Sequence, residues 1–419
     1  METELLLRGQ SALGLAVFAG LAWLMSEERR QVGWRLPAIG VAMQVTVAAL
    51  MLHLPFIAGG FALVGDAVNG LQAATEAGTS LVFGYLGGGP TPFEEVFPEH
   101  GVILAFRILP MVIFISALSS LLFYWGVLPA LVRLLARLIE RPLQMGGAAS
   151  FATMANVFLG MVDAPLTIRP YMARLTHSEL FVVMTAGMAT IAGTTYVLYA
   201  IVLAEVLPGV AGHLLVASII SVPAAVMMAR LMVPETEAPT PADDYQRSEA
   251  HGAIDSIVQG AGAGLQLLLN IIALLITVLA LVALVDAFLG LLPDIGGAPL
   301  SLDRMLGWLM APLAWLTGVA ADEAAQAGAL LGTKVFLTEL VAYIQMAALP
   351  EGTLSPRSNM ITIYALCGFA NFAGLGILIG GLSAVIPERR AEIGYLGLKS
   401  LIAGTLATLS TGAAVGLVG

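Results

Sequence analysis

A carboxylate set in an oily stretch leaves a chain few ways to fold. Asp163 stands between Gly160 and Pro165 in NVFLGMVDAPLTIRPYMARLTHSELFVVMTAGMATIAG, and the apolar segment that follows is broken at Thr190-Ile191-Ala192-Gly193. In lipid, backbone that leaves the helix must be buried in protein or line a wet cavity. An acid beside such breaks marks a functional site, since a charge at the bilayer centre costs ~3 kcal/mol or more unless something stabilises it. The design recurs in GTKVFLTELVAY, where Glu339 precedes a second broken segment, CGFANFAG, at a similar offset. Two matching halves indicate an internal repeat. The plainer alternative, that each acid merely caps a broken helix, needs the same accident twice.

The oily setting extends to the whole chain. Its 419 residues are 58% hydrophobic and 11% charged, more apolar surface than a soluble core can use. The chain reads as an all-α polytopic membrane protein. A net charge of −10 excludes nucleic acid as a partner, because phosphate binding needs clustered Lys and Arg. The lone Cys367 excludes an intramolecular disulfide and a cysteine-based metal cluster, and reads as a packing residue.

A crossing takes about 20 apolar residues. Spans fall at 5–25, 36–54, 102–127, 178–206 (broken near Thr190), 213–233, 257–292, 359–386 (broken near Asn371) and 395–418. The first is a retained span rather than a signal peptide, since it lacks a basic n-region. Residues 56–86 are amphipathic, with Asp66, Asn69, Gln72 and Glu76 on one face, and PTPFEEVFPEH is an external loop. Segment 145–166 has arginines on both sides, Arg133, Arg137 and Arg141 before it and Arg169 and Arg174 after it. A crossing would strand one cluster outside, so a re-entrant hairpin fits better. Its counterpart is 305–349, with arms 305–319 and 330–349 about Asp322 and Glu323.

The organisation expected is N-terminal scaffold spans over 1–101, a first repeat over 102–233, a cytoplasmic linker over 234–256 and a second repeat over 257–419. That makes about eight spans and two opposed hairpins, with both termini outside. The repeats are inverted, and inverted repeats with broken helices at the midplane are the architecture of secondary transporters.

Asp163 and Glu339 need partners that a cation, a proton or a hydroxyl-rich substrate can supply. Asn156, Thr190, Thr338, Asn371 and carbonyls freed at the breaks are nearby, and such hard oxygen donors suit sodium or hydroxyl groups. His53, His100, His177, His213 and His251 all fall at span ends or in loops, where histidine is solvated, so no histidine metal site is expected. Lys334 either partners Glu339 or snorkels to the interface. Trp308 and Trp315 read as interfacial anchors. An acid pair also suits a hydrolase, but no second catalytic signature accompanies it, and the chain is read as no enzyme. A receptor that binds solute without moving it is the other class to separate from a transporter.

Three blocks occur in order: ANVFLGMVDAPLTIRPYM with SELFVVMTAGMATIAG, then GTKVFLTELVAY, then CGFANFAGLGILIGGL followed by PERR. In these the chain resembles the concentrative nucleoside transporter family over nearly its whole length. The resemblance implies a homotrimer in the plasma or inner membrane. It also implies scaffold and transport domains, and nucleoside uptake driven by sodium or protons through elevator-like alternating access. By motif position, Glu339 and Asn371 would bind ribose hydroxyls, Phe369 would lie against the substrate, and Gly374 stands where many members have serine. The sodium site would use Asn156, Thr190 and the carbonyls of Leu159 and Ile191. Thr190 replaces a serine and keeps its hydroxyl. Where the family reads Gly-Gln-Thr/Ser-Glu, this chain reads Gly160-Met161-Val162-Asp163, and methionine cannot make an amide's paired contacts to a base. Thr338 and Leu340 stand for the usual Asn and Phe. The resemblance therefore implies a nucleoside symporter or, as the alternative, a same-fold transporter retuned to another polar solute.

Overall fold

The computed structural model describes residues 2–419 apart from 54, 95–100, 242–247, 249 and 296. His100 with the end of the acidic loop, and the middle of the linker 234–256, lie outside the described residues. Among the described residues the chain is helical, with one isolated bridge pairing between Ile295 and Ala298.

Three helices come first, α1 (Glu2–Leu24), α2 (Arg35–His53) and α3 (Pro55–Phe83). Pro37 falls in the first turn of α2, where a missing N–H is no loss. Glu76, from the polar row of α3, pairs with Arg107 at 3.0 Å. The span expected over 102–127 is divided into α4 (Leu104–Arg107) and α5 (Met111–Tyr124), with Pro110 at the junction because it cannot donate to a continuing helix. It also ends early. Gly126 takes a left-handed conformation (φ 78°) and starts a separate amphipathic helix, α6 (Val127–Glu140). Arg133 and Arg137, expected in the connection after the span, belong to this helix, and their spacing of four is its period.

The stretch expected to form the first hairpin contains α7 (Gly147–Leu159) and α8 (Asp163–Leu166), with α9 (Arg169–Met172) after it. The broken span is α10 (His177–Ala189) and α11 (Gly193–Val202), and α12 (Val210–Met232) follows. TxxE opens α10 as a capping box, with Thr176 Oγ1 accepting from Glu179 N at 3.0 Å and Thr176 N donating to Glu179 Oε2 at 3.2 Å. Next comes α13 (Ala253–Leu289), whose 37 residues at ~1.5 Å each exceed a ~30 Å hydrocarbon core.

The second half departs from expectation at one place. α14 (Leu302–Leu316), α15 (Ala324–Phe336) and α16 (Glu339–Ala347) replace the two expected arms. The acidic turn at Asp322 and Glu323 joins α14 to α15, and the fold-back that carries Glu339 is a tighter one at Leu337 and Thr338. No glycine or proline marks it. Thr338 makes it by accepting from Val341 N at 3.3 Å, capping α16. The second broken span is α17 (Pro356–Leu366) and α18 (Phe372–Val385), and α19 (Arg390–Val418) closes the chain.

From α4 onward one order occurs twice, apart from the short α9: an apolar span, an amphipathic helix, a helix pair, an interrupted helix and a long helix. Among the described residues seven segments are long and apolar enough to cross a membrane. The eighth expected span, 359–386, is split between α17 and α18. The most apolar windows of α10 with α11, α12 and α19 are 83%, 89% and 78% buried, against 6% for α13. The first three form the centre, and α13, apolar and bare, needs lipid or another subunit around it. It packs on α5 through Gly260 and Gly264, where an added Cβ would lie 2.7 Å from the Ser116 carbonyl and 2.6 Å from Ile113 Cα. Small residues let membrane helices approach this closely.

Candidate functional site

Each interrupted helix leaves its end carbonyls and N–H groups without helical partners, and the two interruptions meet. Phe369 N, in the break after α17, donates to the carbonyl of Thr190, in the break after α10, at 3.3 Å. A Cβ on Gly368 would lie 2.8 Å from the Ala189 carbonyl oxygen. The tips of both helix pairs close on this crossing. Gly160, with φ 95° and ψ 171°, lies in a region only glycine reaches without strain, and its Cα faces the Ala192 methyl across the first break. From the other side, Glu339 begins α16.

Glu339 is 4% exposed and accepts two hydrogen bonds, from Tyr199 Oη to Oε1 at 2.6 Å and from Asn371 Nδ2 to Oε2 at 2.6 Å. Asn371 Oδ1 accepts from Gly374 N at 2.6 Å and so caps α18. The Tyr199 ring lies 5.2 Å from that of Tyr343. Lys334 does not hydrogen-bond Glu339, and it does not snorkel. It is 1% exposed, and Nζ donates to the Ala365 carbonyl at 3.0 Å and to Thr408 Oγ1 at 2.6 Å.

Asn156 is buried on α7, with Nδ2 turned toward Gly187 of α10 and Oδ1 left without a hydrogen-bond partner. The hydroxyls of Thr153, one turn earlier, and of Thr185 on α10 are also buried and unpartnered. Thr190 Oγ1 donates to the Ala186 carbonyl at 2.9 Å, which leaves its lone pairs free. Leu159 ends α7 and Ile191 sits within the first break. The region thus holds several buried oxygens with unused lone pairs. Among the described residues no three His, Cys, Asp or Glu side chains form a group that could hold a metal ion.

Met161 and Val162 pack against α18 and its start. The Met161 Cε methyl lies 3.6 Å from where a Gly374 Cβ would be, and the Val162 methyls face Gly381. Phe369 is half-buried, and its carbonyl oxygen lies 2.5 Å from the same Gly374 Cβ position. The structure therefore brings Met161, Glu339, Phe369, Asn371 and Gly374 together around the crossed breaks. Asp163 stands apart. It shares no hydrogen bond with the Glu339 cluster and faces a cavity of about 510 Å3 with Ser116, Ser119, Thr167, Thr194 and Gln259 on its walls.

Reading by motif missed Tyr199 and Thr408. A tyrosine this deeply buried must find a partner for its hydroxyl, a signal present in the sequence but silent on which acid it meets. His213 is also not solvated as expected, since it is half-buried and hydrogen-bonds Tyr364 Oη at 2.9 Å.

A polar site closed by two interrupted helices inside an apolar helical body defines a membrane transport protein. Residues 13–86 match "Na+ dependent nucleoside transporter N-terminus", residues 105–206 "Nucleoside recognition" and residues 213–416 "Na+ dependent nucleoside transporter C-terminus". The chain is 35% identical to a transporter of Haemophilus influenzae, over 97% of each. It is 32% identical to sodium/nucleoside cotransporter 1 of Mus musculus, over 97% of this chain and 63% of that protein. The solved structure of CNTnw in an inward-facing substrate-bound state superposes with a TM-score of 0.89 at 35% identity, covering 98% of this chain and 99% of that one. The chain belongs to the concentrative nucleoside transporter family.

Proposed function

We propose that this chain imports nucleosides, or solutes built on a ribose, in symport with sodium. The observation that carries the reading is Glu339 held by two donors at the meeting of the two breaks. An ionised carboxylate has about four acceptor sites, so two remain for the adjacent hydroxyls of a sugar. Asn371 and Phe369 border the same space.

Sodium would sit between α7 and the first break, on Asn156 Oδ1, Thr190 Oγ1 and the carbonyls of Leu159 and Ile191. Uncharged hard oxygens suit a monovalent cation, and the unpartnered Asn156 Oδ1 supports one there. Proton coupling through Glu339 fits less well, because both neighbours donate to this acid. The pairs α7–α8 and α15–α16 act as re-entrant hairpins of opposite orientation. They travel with the broken helices against a scaffold that includes α5 and α13, as one protomer of a homotrimer in the plasma membrane with both termini outside.

A second reading rests on Met161 and Val162. The base side of the site is apolar in this chain, which suits a transporter retuned to another polar solute. Uptake of labelled uridine and adenosine into proteoliposomes, with and without a sodium gradient, tests both. Saturable, sodium-driven uptake that Glu339→Gln abolishes is expected. No uptake of any common nucleoside would leave the second reading.

A further inference from the structure

The amphipathic helix α6 has three faces, each with a different demand. At ~100° per residue, Leu128, Val132, Ala136 and Ile139 fall on one face, and all are buried against α7 and its surroundings. A second face carries Val127, Leu131, Leu134 and Leu138, which are 52%, 39%, 58% and 62% exposed. The third carries Arg133 and Arg137 and runs on to Arg141 just beyond the helix, all three exposed. Arg137 and Arg141 make no ion pair among the described residues. The exposed leucines and the arginine row are adjacent, and the buried face is opposite the space between them.

The equivalent helix in the second half provides an internal control. α14 also presents an apolar exposed face, with Met305, Trp308 and Leu309 at 43%, 48% and 61%. Its only charged residues are Asp303 and Arg304, so the architecture does not itself require a basic row. The row on α6 answers something found on one side of the membrane only. That side is the one where the other arginines gather: Gln144, just past α6, gives its carbonyl to Arg230 at the end of α12, at 3.2 Å.

We propose that α6 is a seat for anionic phospholipid of the arginine-bearing leaflet. Acyl chains cover Leu131, Leu134 and Leu138, and phosphate headgroups lie along Arg137 and Arg141. A surface helix with leucines on one side and arginines beside them matches that interface in both polarity and charge. Because the buried face rests on α7, which carries Asn156, bound lipid holds in place the helix that bears this unpartnered amide oxygen.

The test measures phosphatidylglycerol binding to the full chain in phosphatidylcholine nanodiscs, by titration of its mole fraction against the lipid retained per protomer. Each arginine near an anionic surface contributes about 1 kcal/mol, so Arg137→Gln/Arg141→Gln is expected to bind roughly 30-fold more weakly. Arg137→Lys/Arg141→Lys keeps most of the affinity. Binding by the native chain must also weaken as salt rises, a measurement that needs no variant to fold. Equal affinity for the native and glutamine forms, or salt-independent binding, overturns the proposal. So does displacement by soluble glycerol phosphate alone, which would assign the site to a free phosphate. None of these readouts depends on nucleoside transport.

Discussion

Asn371 Nδ2 donates to Glu339 Oε2 at 2.6 Å, while Oδ1 of the same side chain accepts from Gly374 N at 2.6 Å. The second bond fixes which end of the amide is which, because only the oxygen can accept from an N–H. One side chain therefore orients the acid and starts helix α18. Substrate chemistry and the geometry of the break are joined in it.

Two substitutions separate these duties. Asn371→Ser keeps a capping oxygen but loses the donor that reaches Glu339, whereas Asn371→Ala loses both. Relative to Asn371→Ser, Asn371→Ala is expected to lose a further ~1 kcal/mol of stability from the missing cap. Both are expected to weaken substrate binding about 10- to 100-fold, the range for a hydrogen bond to a charged group. Denaturation of the purified protein reads the first effect and equilibrium binding of labelled nucleoside the second. Equal stability of the two variants would show that the cap contributes nothing.

Gly160→Ala tests the seat of the first tip. The residue lies at φ 95° and ψ 171°, where a side chain costs ~1–3 kcal/mol. Its Cβ would also come within 3.0 Å of the Ala192 methyl. A lowered melting temperature is expected together with weaker sodium dependence, since the tip and the first break would part. Unchanged stability would mean that the tip does not rest on the break.

Much of this was legible in the sequence because membrane helices announce themselves by length and polarity. The breaks at Thr190 and Asn371 carried their own signals, glycines and polar groups inside apolar runs. The fold-back at Leu337 and Thr338 did not, since a threonine cap looks like any threonine until the chain turns there. α6 was read past for a different reason: its leucines continue the hydrophobicity of the span before it, and only Gly126 separates them. The Glu339 neighbourhood was half legible. Asn371 came from the motif, but Tyr199 lies 140 positions away in sequence, and no periodicity links residues that far apart.

Met161→Gln/Val162→Thr tests the rewritten side of the site. Val162 fills the space over Gly381, and threonine keeps that shape while adding a hydroxyl that costs ~1–3 kcal/mol if buried unpaired. The double variant is expected to melt lower than the native chain when empty and to gain more than the native chain when uridine is added, because a bound base supplies the missing partners. The native protein should bind bases of different pattern with similar affinity. An equal uridine-induced shift in both proteins would remove these two positions from base recognition.

Lys334 and Thr408 tie the second helix pair to α19. Lys334→Met leaves the Ala365 carbonyl and the Thr408 hydroxyl without the ammonium, an expected loss of ~1–3 kcal/mol. Thr408→Val on top of it should cost less than Thr408→Val alone, with a coupling of ~0.5–3 kcal/mol between the two. Strict additivity in denaturation would mean that the 2.6 Å contact carries no energy.

Acid titration should loosen the contact between the α1–α2 turn and α19. Glu27 lies in that turn, where Lys399 Nζ donates to it at 2.6 Å and His177 Nε2 lies 3.5 Å away. Burial raises its carboxyl pKa, but the hydrogen bond and charge of Lys399, with His177 behind them, outweigh that and hold it below the usual value of 4.5. A depressed value means that the folded state favours the ionised form. The stability this adds is fully present above the usual glutamate range and disappears as pH falls through the lowered value. Melting temperatures of the native chain and of Glu27→Gln, followed from pH 7 downward, should therefore differ at neutral pH and converge once the pH has fallen through the lowered value. A gap that stays constant to the lowest pH would show that Glu27 acts through packing and not through its charge.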